Sequence, residues 1–192
     1  VYAPGATPNN YAQASPIDLQ NIAANLFIPP PAGSYNEQPD PFNAEQSQGD
    51  PALIHQLVVL AAFCKELELQ AHLVHLNYTG PDFLPLHQFL KTQYQLHQEQ
   101  FDTLAEFVRT QGAFLPTTNA GLRAALPQFS EPESPDPLAM VAIYAENLAQ
   151  QAQMARNLDQ SAATERAIDV QNYAAELVAA ANKAIWFLSA SR

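Results

Sequence analysis

Three histidines and two carboxylates near the middle of the chain could do chemistry together: His72, His75, His87, Asp102 and Glu106. Imidazole and carboxylate are the donor pair that suits iron and zinc. His72 and His75 stand at i,i+3 and Asp102 and Glu106 at i,i+4, so on helices each pair shares a face and can converge on an ion. His87 and Asp102 are fifteen residues apart. That is roughly 22 Å along a continuous helix, so one ion cannot take both from the same chain, and a second, antiparallel subunit is needed to bring the groups together. Spacing alone leaves two readings open, a shared metal site or ordinary surface and interface histidines. A di-iron centre inside a single bundle would need Glu-x-x-His motifs on inner helix faces. No Glu in this chain has a His three positions later, which argues against it. His97 lies roughly 140° from Asp102 and 180° from Glu106 on a helix and stays out of the site. His55, far from the cluster, reads as a solvated residue.

The elements that must position these groups are helical. Asp50 is an N-cap with Pro51 at the first helical position, and apolar residues at helical spacing follow to about Leu76. The segment Asn77-Tyr78-Thr79-Gly80-Pro81 supplies a Gly stop and a Pro restart, predicting a second helix from about Asp82 to Gln111. Pro116, Pro127 and Pro132 punctuate a long connection that carries one short helix, Asn119 to Ala125. Asp136-Pro137 repeats the cap-and-proline start of a third helix running to about Leu158. A polar break at Asp159-Gln160-Ser161 then separates it from a fourth, Ala162 to Ala190. Four long helices with one long middle crossover predict an all-α, ferritin-like four-helix bundle over residues 51–191.

Residues 1–50 differ: they are rich in Pro, Asn and Gln, include Pro29-Pro30-Pro31 and show no sustained period, so they read as an N-terminal tail. Ile17, Leu19, Ile22, Leu26, Phe27 and Ile28, with a short helix after Ser15, could dock on an apolar groove.

At 192 residues the chain has the size of one domain plus an extension. Apolar residues make up 47%, yet an apolar run such as Leu57 to Phe63 is far too short to span a membrane. No basic region followed by an apolar stretch opens the segment, so no secretory signal is expected in it. The single Cys64, within AAFCKEL, cannot form an intrachain disulfide. It reads as a buried thiol suited to a reducing, cytoplasmic setting. Eight basic against nineteen acidic residues give a net charge of −11, which repels phosphate backbones and anionic lipid and favours cations.

The run His75-Leu-Asn-Tyr-Thr-Gly-Pro-Asp-Phe-Leu-Pro-Leu-His87 resembles the signature of the Dps mini-ferritins, in which H-W-N-x-x-G-x-x-F precedes a second His twelve positions after the first. Phe101-Asp102-Thr103-Leu104-Ala105-Glu106 resembles that family's D-x-x-A-E element, and Lys183-Ala184-Ile185-Trp186-Phe187-Leu188 its K-x-x-W-F-L close. The resemblance covers about Pro51 to Ser191. It implies a dodecameric shell that oxidises ferrous iron with peroxide or dioxygen at a dinuclear ferroxidase centre on a twofold interface. His75 and His87 would be the histidines of one subunit, and Asp102 and Glu106 the carboxylates of its partner. The chain departs from the family at Lys91, where an Asp is expected four residues after the second His; an ammonium does not ligate and repels a cation. Leu76 also replaces the family's Trp. His72, one turn before His75, is expected to compensate, making a histidine-rich centre at which zinc competes better with iron.

Glu146, Asp159, Glu165 and Asp169 fall near where the family's threefold pores admit metal, and solvated faces explain them equally well. Many relatives hold DNA through basic arms. Residues 1–64 here contain no Lys or Arg, so DNA binding is not expected. The alternative to a ferroxidase and iron store is a shell that sequesters zinc or iron with little turnover because Lys91 spoils one metal position.

Overall fold

The computed structural model of the chain describes residues 49–190. Within them lie helices α1 (Pro51–Asn77), α2 (Phe83–Thr110), α3 (Asn119–Ala124), α4 (Pro137–Glu165) and α5 (Ile168–Ala190), and no strand. None of these helices is long and apolar enough to cross a membrane. The tail expected over residues 1–50 lies, except for Gly49 and Asp50, outside the described residues, as does its docking segment from Ile17 to Ile28.

Both long hairpins start with the same device. The Asp50 carboxylate accepts from the amides of Ala52 and Leu53 at 2.8 and 2.9 Å, and the Asp136 carboxylate from Ala139 at 2.7 Å. A proline follows each cap, where its missing N–H costs nothing. α1 ends where Tyr78 turns extended, and Gly80 takes φ 148°, a backbone open to glycine. α1 packs on α2 and α4, and α4 packs on α5. Short connections make α1–α2 and α4–α5 antiparallel pairs, joined by the long crossover that carries α3.

The third helix is longer than the sequence predicts. Asp159-Gln160-Ser161 does not interrupt α4, which runs on to Glu165. The reason is the apolar stripe: Leu158 and Ala162, at i and i+4, are both fully buried and carry the helix across the polar triplet. Ser161 is used by the fold, its hydroxyl accepting from Gln56 Nε2 at 2.9 Å. The break comes at Arg166, in the left-handed region at φ 58°. Its amide bonds the Ala163 carbonyl and that of Ala167 the Ala162 carbonyl, a Schellman closure without the usual glycine.

Two apolar clusters fill the bundle. One gathers Leu53, Leu57, Leu60, Leu104, Val108, Leu158 and Leu177; the other gathers Phe63, Leu67, Val74, Leu90, Tyr144, Leu148 and Leu188. The crossover is tied down by a buried amide: Asn147 Nδ2 donates to Gln70 Oε1 and to the Ser130 carbonyl, while Ser130 N donates to Asn147 Oδ1. α1 is also apolar on its outer face. Leu69, Leu73 and Leu76 are 47%, 50% and 63% exposed, and Leu84 beyond the turn is 61% exposed.

Candidate metal centre

The α1–α2 turn brings His75 and His87 face to face, with ring centroids 3.7 Å apart and planes 19° from parallel. Each ring is anchored on the other's backbone. His75 Nδ1–H donates to the His87 carbonyl at 2.7 Å and His87 Nδ1–H to the His75 carbonyl at 2.9 Å. A carbonyl can only accept, so both rings are held with the hydrogen on Nδ1 and the lone pair on Nε2. This is the anchoring that orients an imidazole toward a metal ion. His75 is buried and His87 half-buried, so the rings are rigid yet reachable.

His72 joins them through a residue the sequence analysis did not single out. Its exposed ring stacks on Tyr94 at 4.4 Å, and Tyr94 meets His75 edge-on at 5.5 Å. His72 and His75 lie 6.0 Å apart, centroid to centroid. The signal for Tyr94 was its place seven residues after His87, two turns along the same face of α2. Phe83 also stacks on His87, at 5.0 Å.

The carboxylates are elsewhere. Asp102 and Glu106 are exposed on the same unbroken α2, and Asp102 lines a groove with Lys65, Gln95, Gln98 and Glu99. Among the described residues of one chain, no three His, Cys, Asp or Glu side chains converge to hold an ion. One chain thus stacks His75 on His87 with His72 6.0 Å from His75, and leaves the two carboxylates apart. Lys91, one turn beyond His87, is exposed and forms no ion pair with a described residue. The donor set fits a divalent transition metal, for which imidazole nitrogens are common ligands.

His97, outside the site as expected, is buried in the bundle. Its Nδ1–H donates to Gln100 Oε1 and its Nε2 accepts from the Tyr144 hydroxyl, both at 2.8 Å. Burial pushes it down to about 4, against the opposing pull of Gln100. Cys64 is buried as expected, its thiol pushed up to about 12 by desolvation, and it accepts from Gln151 Nε2 at 3.2 Å. His55 is exposed at the start of α1. Glu165 and Asp169 are exposed and flank the Arg166 turn, while Glu146 lies nineteen residues before Glu165 on α4. At roughly 28 Å along the helix, Glu146 shares no cluster with them.

The model of the family described as Ferritin-like domain matches residues 55–191. A search of curated proteins by sequence finds no match. Among solved structures, antigen TpF1 from Treponema pallidum superposes with a TM-score of 0.69 at 24% identity, over 82% of this chain and 98% of that one. A DPS protein from Vibrio cholerae O1, described as a member of a broad superfamily of ferritin-like diiron-carboxylate proteins, gives 0.67 at 22% identity, over 76% and 89%. Dps from Listeria innocua, soaked with zinc, gives 0.67 at 17%, over 72% and 94%. With the capped hairpins, the long crossover and the family match over most of its length, the chain belongs to the ferritin-like family and has the fold of the Dps proteins.

Proposed function

We propose that the protein is a ferroxidase and iron store, a homo-oligomeric, dodecameric shell whose substrate is ferrous iron and whose metal sites form between paired subunits. The observation that carries this reading is the reciprocal anchoring of His75 and His87, which leaves both Nε2 lone pairs unused by the described residues. Each lone pair lies in its ring plane. The two rings stack with centroids 3.7 Å apart and planes 19° from parallel, and in this reading each histidine serves its own ion of a neighbouring pair. His72 adds a third imidazole, and Asp102 and Glu106 of the partner subunit supply the negative charge that stabilises ferric product. Two ferrous ions give one electron each to a peroxide, which takes up two protons and leaves as two waters. Dioxygen is the other oxidant of this class.

The exposed leucines flanking the histidines support the pairing, since burial of Leu69, Leu73, Leu76 and Leu84 would bring a second copy against the site. The net charge of −11 suits an interior that collects cations and disfavours DNA. Zinc competes with iron because it takes the same imidazoles. A second reading, sequestration with little turnover, is favoured by one observation: Lys91 places an ammonium, with no ion pair to a described residue, one turn from His87.

Co-assembly of two defective chains tests the shared site. His75→Ala and Glu106→Ala are each expected to lose most metal binding alone. In shells of both chains mixed equally, half the dimers are mixed and each holds one intact site, so about a quarter of the sites return. No recovery in correctly sized mixed shells would refute an intersubunit centre.

A further inference from the structure

A phenol and a neutral imidazole are buried against each other in the bundle, and the metal chemistry proposed above uses neither. Tyr144 on α4 and His97 on α2 are 0% and 1% exposed, with the phenolic oxygen 2.8 Å from His97 Nε2. The tautomer follows from the far side of the ring, where Nδ1 must donate to Gln100 Oε1. Gln151 Nε2 donates to the same oxygen at 2.9 Å, which fixes the end of the Gln100 amide that faces His97. Desolvation holds His97 down at about 4 and Tyr144 well above its ordinary 10. At neutral pH the phenol is therefore protonated and the imidazole is a free proton acceptor.

We infer that Tyr144 and His97 form a one-electron trap, in which Tyr144 gives an electron to an oxidant of the hydroxyl-radical class while its phenolic proton moves to His97 Nε2. The Tyr144 O–H bond breaks, an N–H bond forms on His97, and the hydroxyl radical leaves as hydroxide. A neutral phenoxyl radical remains beside an imidazolium whose Nδ1–H still rests on Gln100. Burial disfavours a cation on either group, but the oxidised phenol is a far stronger acid than an imidazolium, so the proton passes to His97 Nε2 across the 2.8 Å contact. Return of an electron from ferrous iron, with the proton from His97, restores Tyr144.

A path to the histidines exists. His72 stacks on Tyr94 and His75 meets its edge; Tyr94 lies one turn before His97 on α2 and packs on the same apolar cluster as Tyr144. The supply of radicals at that end rests on the metal site proposed above, where a lone ferrous ion would give peroxide a single electron and leave hydroxide and a hydroxyl radical; the trap itself does not rest on it.

The assembled full-length chain, stripped of metal by chelation, is oxidised by flash-generated ruthenium(III) tris-bipyridyl and freeze-quenched for electron paramagnetic resonance. The expected result is a long-lived neutral tyrosyl radical, lost in Tyr144→Phe and reduced about tenfold or more in His97→Gln, which keeps a polar group but no base. Formation in the parent should also slow about twofold in deuterium oxide, a readout that needs no variant. A long-lived radical that survives Tyr144→Phe, or equal rates in the two solvents, overturns the trap. Ferrous iron and peroxide are then applied to the same parent shells. A Tyr144 radical formed by flash oxidation but not by iron and peroxide overturns the link to the iron site while the trap stands.

Discussion

His75 and His87 exchange hydrogen bonds across the α1–α2 turn, the Nδ1–H of each donating to the backbone carbonyl of the other at 2.7 and 2.9 Å. The contacts that expose the two Nε2 lone pairs therefore also close the turn between the helices. His72, by contrast, meets the described residues through its ring alone.

These roles separate in variants. In metal-free protein His75→Ala and His87→Ala should each lower unfolding free energy by about 1 kcal/mol, the worth of one such hydrogen bond, while His72→Ala should not. All three should weaken metal binding in titrations of the assembled shell. If His72→Ala binds iron and zinc like the parent, His72 is no ligand.

Lys91→Asp tests the ammonium beside His87. With His72 supplying the third imidazole, the single-turnover oxidation rate of ferrous iron should change by less than about threefold, under 1 kcal/mol of barrier. A rise of a hundredfold would mean that Lys91 cripples the parent centre, and would favour sequestration as its role.

His97 makes stability acid-sensitive. Its folded value of about 4 lies below the ordinary 6.5 because burial penalises the imidazolium, so the unfolded chain binds the proton first. The contribution is fully present above pH 6.5 and is lost as pH falls toward 4, about 3 kcal/mol in all. Denaturant midpoints measured across this window should fall less steeply in His97→Gln. Parallel slopes for the two proteins would show that His97 does not titrate there.

Arg166 occupies the left-handed position that ends α4 at φ 58°. Arg166→Gly should raise stability by about 1 kcal/mol, because the Cβ penalty disappears from the folded state. A loss of stability in thermal or denaturant unfolding would show that the Arg side chain holds the turn.

The sequence by itself determined the helices that begin with a signal: Asp50-Pro51 and Asp136-Pro137 cap α1 and α4 as their chemistry requires, and Gly80 marks the first turn. It also placed His72, His75 and His87 near one turn, since the i,i+3 histidines and the twelve-residue step to His87 are local relations that an α-hairpin of this length preserves. The α4–α5 boundary was not legible. Its turn is made by an arginine in the left-handed region, whereas the polar triplet before it stays helical because Leu158 and Ala162 are buried on either side. Only tertiary structure could stack His72 on Tyr94, turn each imidazole onto the other's carbonyl, and bury His97 against Tyr144. Those contacts join α1 to α2 and α2 to α4, so they depend on where separate helices meet in space, a relation that residue types and spacing along one helix do not encode.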